Sequence, residues 1–132
     1  MPDTAASQTS GKPGKEILIL ETDAVQRDLL HMILEREGYR VECPGDPARA
    51  EVFLRNTVYF AVLLEILLPG INGLQLIRKI REDSSMHQPH FILMSALGFK
   101  EVIKQVAPLN VSGFLKKPID PVVLLKRLAD LA

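Results

Sequence analysis

Six polar residues in this sequence follow short apolar runs that have the length of buried strands. They are Glu21, Thr22, Asp23, Glu65, Ser95 and Lys117. If these runs are parallel strands, their carboxyl ends meet at one edge of a sheet, where open α/β sheets place their ligand site. A glutamate and a lysine that meet there can form a charge-assisted hydrogen bond. The sequence therefore predicts one crevice that contains an acidic cluster, a hydroxyl and a lysine.

The elements that would position these residues follow from the spacing of apolar side chains. Short apolar runs alternate with helical patterns along the chain. The pattern predicts strands over 17–20, 39–43, 60–64, 91–94 and 112–115, and helices over 25–37, 46–56, 72–81, 99–107 and 121–131. The runs ILIL, AVLL and FILM are apolar at every position, as a strand buried on both faces requires. We therefore predict a parallel sheet between two helix layers, a three-layer doubly wound (βα)5 sandwich.

Length and composition fit one compact domain. The chain has 132 residues, with 16 basic and 16 acidic side chains. The polar segment 1–14 has almost nothing to bury, so we expect a disordered tail there and a folded domain over 15–132. No apolar run approaches the roughly 18 residues of a membrane span, and the tail has no apolar signal segment, so we expect a cytoplasmic protein that does not contact a membrane. The zero net charge argues against nucleic acid as a partner.

Four motifs in order connect the sequence to a known family. These are EILILETD, AVLLEILLPGING, FILMSA and GFLKKP. From Glu16 to Ala132 the chain resembles a response-regulator receiver domain, the CheY-like family. The resemblance implies a flavodoxin-like fold with a five-stranded parallel sheet in the order 2-1-3-4-5. It also implies a role in two-component signal transduction and phosphorelay.

The resemblance assigns a role to each polar position. Glu65 stands where the family has its phosphorylated aspartate, and Lys117 matches the family's lysine. Glu21, Thr22 and Asp23 match the acidic pocket that holds magnesium in the family, while Ser95 and Phe114 match its switch residues.

At two positions the sequence departs from the family pattern in a way that affects metal binding and phosphoryl transfer. Thr22 lacks the carboxylate that usually contacts the metal, and Glu65 is one methylene longer than aspartate. Because magnesium demands near-ideal octahedral geometry, we expect its binding to be lost or weak and no cofactor to be needed. Because phosphoryl transfer depends on positioning, we also expect no useful phosphorylation and no enzyme activity.

The favoured function is a non-phosphorylatable pseudo-receiver that acts by protein–protein interaction. In this interpretation Glu65 pairs with Lys117, draws in Ser95 and mimics the activated state. Simpler roles stay open: Glu65 could be a solvated acid, Lys117 could bridge Glu21 for stability, Ser95 could satisfy a loop amide, and Phe114 could be ordinary packing. The alternatives for the whole domain are an atypical but functional phosphoacceptor that receives phosphate from a histidine kinase, and a small-ligand or nucleotide-binding domain.

The expected partners are a signalling protein or a covalently linked effector or kinase domain. A homodimer through the fourth helix, fifth strand and fifth helix is also expected, because the last helix is apolar over more than one stripe. Its apolar residues are Val122, Val123, Leu124, Leu125, Leu128 and Leu131. The equally weighted alternative is that these side chains fold back onto the core.

Overall fold

Five parallel strands form the single sheet of this computed structural model, which describes residues 15–68 and 70–132. The strands are β1 (Glu16–Leu20), β2 (Arg40–Glu42), β3 (Ala61–Glu65), β4 (His90–Ser95) and β5 (Gly113–Lys116). They are ordered β2-β1-β3-β4-β5, which confirms the expected order. The predicted disordered tail, 1–14, lies outside the described residues.

The described residues contain five helices, of which four connect the strands and the fifth follows β5. They are α1 (Ala24–Arg36), α2 (Ala50–Asn56), α3 (Gly73–Glu82), α4 (Lys100–Val106) and α5 (Pro121–Leu131). The second and fourth are shorter than predicted, because one turn of 3-10 helix replaces part of each: Pro47–Arg49 precedes α2 and Ala107–Leu109 follows α4. The first turn is capped by Asp46, and the second contains Pro108, which has no backbone N–H to continue an α-helix.

The core consists of two apolar layers, one on each face of the sheet. Alternate residues of β1 illustrate the division: Ile17 and Ile19 pack with buried residues of α1 and α5, and Leu18 and Leu20 pack with those of α2 and α3. All four are at most 1% exposed. The three-layer sandwich and the prediction of strands buried on both faces are therefore confirmed.

The last helix combines both alternatives that its sequence left open. Leu124 and Leu128 are fully buried against the sheet, whereas Val122 and Val123 are 74% and 48% exposed. Part of the apolar excess thus belongs to the core, and part lies on the surface at the start of α5.

Strand register places the ends of the strands together. Glu65 pairs with Met94 between β3 and β4, and Ser95 pairs with Lys116 between β4 and β5. The loops that leave these ends therefore begin side by side at one edge of the sheet. Among the described residues, none of the helices has the length and apolar character needed to cross a bilayer.

Candidate functional site

Lys117 joins two acidic residues at the carboxyl edge of the sheet. Glu21 directly follows β1, Glu65 is the last residue of β3, and Lys117 directly follows β5. The Lys117 Nζ atom forms ion pairs with Oε1 of Glu21 and with Oε1 of Glu65. The structure thus brings together three of the residues that the sequence placed in one crevice.

Loop amides bind the second oxygen of each carboxylate. Oε2 of Glu65 accepts a hydrogen bond from the backbone N–H of Leu67 at 2.9 Å. Oε2 of Glu21 accepts one from the N–H of Asp23 at 3.2 Å. Each glutamate therefore has an ammonium on one oxygen and a loop amide on the other, which fixes its orientation.

The three charges are largely removed from solvent. Glu21 is 4% exposed and Glu65 is 7% exposed. Burial alone would lower the pKa of Lys117, but hydrogen bonds and attraction from Glu21 and Glu65 outweigh it and raise the pKa above its usual value. Lys117 is therefore protonated at neutral pH, and the cluster holds two carboxylates against one ammonium.

The other two residues of the predicted acidic pocket are not buried with the cluster. Thr22 and Asp23 are exposed. The carboxylate of Asp23 accepts from the N–H of Gln26 at 3.1 Å and caps α1. Within 15–68 and 70–132, no three His, Cys, Asp or Glu side chains form a group suited to a metal ion.

The predicted switch residues, Ser95 and Phe114, make contacts with residues outside the cluster. The hydroxyl of Ser95 accepts from the N–H of Leu97 at 3.0 Å, so it satisfies a loop amide. This contact is the one that the simpler alternative for Ser95 predicts, and the expectation that the Glu65–Lys117 pair draws in Ser95 stays a prediction. Phe114 is half-buried, and its ring centre lies 5.0 Å from that of Phe99, just before α4.

Comparison with known proteins shows to which family the chain belongs. The model of the family described as "Response regulator receiver domain" matches residues 17–129. The chain belongs to this family. The receiver domain is 33% identical over 122 residues to the transcriptional regulatory protein AruR of Pseudomonas aeruginosa, and 29% identical over 118 residues to the sensory/regulatory protein RpfC of Xanthomonas campestris. These matches cover 87% and 88% of the chain, but only 48% of AruR and 16% of RpfC.

A solved structure of similar sequence has the same fold. The crystal structure of a sensor protein from Polaromonas sp. JS666 is 30% identical, with a TM-score of 0.79, and the match covers 91% of this receiver domain and all of that chain. The family match and the fold together place the domain in a two-component signalling role. The shared fold also explains why Glu21, Glu65 and Lys117 meet, since all three leave adjacent strand ends.

The sequence left open that Ser95 satisfies a loop amide, but it did not reveal the loop contacts of the two glutamates. That Glu65 would accept from Leu67, and Ser95 from Leu97, depends on the backbone path two residues further along. A polar residue at a strand end followed by a turn is the available signal, since such side chains often bond an amide two residues on. The same signal occurs at many loops that have no functional site.

Proposed function

We propose that this receiver domain is a signalling module that is not phosphorylated, with Glu65 at the position of the family's phosphorylated aspartate. The observation that supports this most is the Lys117 ammonium, which lies between the carboxylates of Glu21 and Glu65. A phosphoryl acceptor needs a free carboxylate oxygen and a cation that neutralises the incoming phosphate. Here one oxygen of Glu65 faces an ammonium and the other holds the Leu67 amide.

The same arrangement does not fit a magnesium ion. Magnesium requires about six oxygens at roughly 2.1 Å in octahedral geometry. Both buried carboxylates already share a positive charge that would repel a divalent ion, and Thr22 and Asp23 are exposed, with Asp23 engaged as a helix cap. We therefore propose that the domain works without a metal cofactor and is not an enzyme.

The cluster supports a fixed pocket more strongly than a mimic of the activated state. The Glu65–Lys117 ion pair ties β3 to the end of β5. Ser95 remains bonded to its own loop, and Phe114 packs on Phe99. The internal charge therefore holds one arrangement of the loops, and the function of the domain depends on the surface that this arrangement presents.

We propose that the output is contact with a signalling protein or with a linked effector or kinase domain. The names of AruR and RpfC describe larger regulatory proteins, of which this chain matches 48% and 16%. The surface formed by α4, β5 and α5 has exposed apolar side chains, including Ile103, Val122 and Val123. This surface is the proposed contact for a partner or a second copy, and sedimentation at increasing concentration tests for the homodimer.

The central experiment is incubation with magnesium and acetyl phosphate, followed by intact mass. We expect no added phosphoryl group on the native chain. The matched control is Glu65→Asp combined with Thr22→Asp, which returns both carboxylates of the family pattern. One phosphoryl group on the native chain, mapped to Glu65, would contradict the proposal and favour the functional phosphoacceptor.

A further inference from the structure

Arg81, in the last turn of α3, makes a set of contacts away from the strand-end cluster. Its Nε donates to the carbonyl of Leu109 at 2.8 Å, and its Nη2 donates to the carbonyl of Asn110 at 3.2 Å. Its Nη1 donates to the carbonyl of Pro89 at 3.0 Å and to the side chain of Gln88 at 2.9 Å. One guanidinium thus binds backbone oxygens of two separate connections, one before β4 and one before β5.

The geometry of these contacts depends on a guanidinium. The planar fork of arginine presents donors in several directions at once, whereas the ammonium of lysine is a single point. The guanidinium carbon of Arg81 also lies 4.9 Å from the ring centre of Phe91, which adds a cation–π contact. Burial lowers the pKa of Arg81, but an arginine in a folded protein keeps its charge at neutral pH.

The segment that Arg81 holds leads directly to the proposed contact surface. Leu109 ends the 3-10 turn after α4, and its side chain is buried in the core. Asn110 has a left-handed backbone conformation, with φ 56° and ψ 51°. Two residues later, the N–H of Ser112 donates to the carbonyl of Phe91 at 2.7 Å, and β5 begins at Gly113. The connection is therefore short and anchored at each step.

We propose that Arg81 is a positioning residue that fixes the connection between α4 and β5, and with it the surface formed by α4, β5 and α5. Lys117 lies at the carboxyl ends of the strands. Arg81 makes its contacts at the opposite edge of the sheet, at the amino end of β4 and the entry to β5. The shape of the surface then has two independent supports, the charge cluster at the carboxyl edge and Arg81 at the other end of β4 and β5. This inference rests on the proposed function in one respect, that this surface is the one presented to partners.

Hydrogen exchange of Arg81→Lys tests the role, with Arg78→Lys as the matched control. Arg78 lies on the same helix and is exposed. Since a hydrogen bond to a charged group corresponds to about tenfold or more in an equilibrium constant, we expect amides in 109–114 to exchange roughly tenfold faster in Arg81→Lys. We expect no change in β1 and α1, and no change anywhere in Arg78→Lys.

Two outcomes would overturn the role of Arg81. One is unchanged exchange in 109–114. The other is equal acceleration in every element, which would mean that Arg81 supports only the stability of the whole fold; urea unfolding of the same variant measures that stability separately. Arg81→Lys keeps the charge and most of the side-chain length, so the variant is expected to fold.

The test is separable from that of the proposed function. If acetyl phosphate modifies Glu65, the proposed function fails while the exchange result for Arg81 in the unmodified protein stands. If exchange in 109–114 does not respond to Arg81→Lys, the role of Arg81 fails while the mass measurement is unaffected. Both fail only if acetyl phosphate modifies Glu65 and exchange in 109–114 does not respond to Arg81→Lys.

Discussion

A lysine shared between two buried carboxylates has different energetic consequences from a simple ion pair. If Glu65 is neutralised, Lys117 keeps Glu21 as a counter-charge, so no buried ammonium is left alone. If Lys117 is removed, both carboxylates lose their cation. The structure therefore predicts that the lysine matters more to stability than either acid.

Glu65→Gln and Glu65→Leu separate the charge of this side chain from its hydrogen bond. Glutamine keeps an oxygen for the Leu67 amide, so we expect a loss of about 1 kcal/mol in the free energy of unfolding. Leucine leaves that amide without its acceptor, and we expect a larger loss, about 2–3 kcal/mol. Urea unfolding measures both, with exposed Glu101→Gln as the control. Equal losses for the two variants would show that charge alone decides the cost.

Lys117→Met is expected to cost about 3–5 kcal/mol at neutral pH, because it leaves buried carboxylates without their cation. The cost also depends on pH. Since the folded-state pKa of Lys117 is raised, its contribution is fully present below its ordinary value of 10.5 and is lost as the pH rises through the folded-state pKa.

The pH dependence is measured as the difference in unfolding free energy between native and Lys117→Met proteins. We expect this difference to be smaller at about pH 11.5 than at about pH 8. The buried tyrosines titrate in both proteins and cancel in the difference. Lys126→Met, at an exposed position of α5, is the control for loss of a lysine side chain outside the cluster.

At the scale of residues, the sequence predicted the ion pair of the cluster but not the hydrogen bonds that its carboxylates make with the loops. Glu65 and Lys117 were expected to meet because both lie at strand ends in the predicted sheet, and they do. The double role of each carboxylate was not predictable, because a hydrogen bond to Leu67 or Asp23 depends on backbone dihedrals in the loops. The contact of Ser95 with the Leu97 amide matches the simpler alternative that the sequence left open.

At the scale of elements, the first and last helices each begin at a single acidic residue. Asp23 caps α1, and Asp120 caps α5 by accepting from the N–H groups of Val122 and Val123 at 2.9 and 3.4 Å. These caps hold the two helices that pack on the same face of the sheet.

The sequence predicted the bounds of α1 and α5 closely, but it overestimated the lengths of α2 and α4. A 3-10 turn and an α-helix share the same apolar spacing over a few residues, so the sequence does not separate them.

Asp23→Ala tests whether this residue acts as a cap or as part of the acidic pocket. Loss of the cap should cost about 1 kcal/mol, whereas Asp23→Asn keeps an acceptor oxygen and should cost only a few tenths of that. Thermal or urea unfolding measures the two values, and Asp130→Ala near the end of α5 serves as the control. If asparagine costs as much as alanine, the charge of Asp23 matters to the cluster, and the cap does not explain its role.

For the whole molecule, ligand binding and stability are linked. A metal that binds only the folded state raises the unfolding free energy, by about 2.7 kcal/mol when its concentration is a hundred times its dissociation constant. The response of the melting temperature to magnesium therefore reports whether the cluster at Glu21, Glu65 and Lys117 can hold a divalent ion. The measurement needs neither a partner nor a phosphodonor.

We expect magnesium to change the melting temperature of the native chain no more than a salt without divalent cations does at equal ionic strength. The variant with Thr22→Asp and Glu65→Asp shortens one carboxylate and adds another, so it should gain a magnesium-dependent rise. Glu65→Asp alone should respond less, because position 22 still lacks a carboxylate. A magnesium-dependent rise in the melting temperature of the native chain would contradict the inference that the Lys117 ammonium excludes a metal ion. The ammonium would then have to leave the two glutamates. No rise in the double variant would mean that the loops around Glu21 and Glu65 have also diverged, so that restoring two side chains does not rebuild an octahedral site.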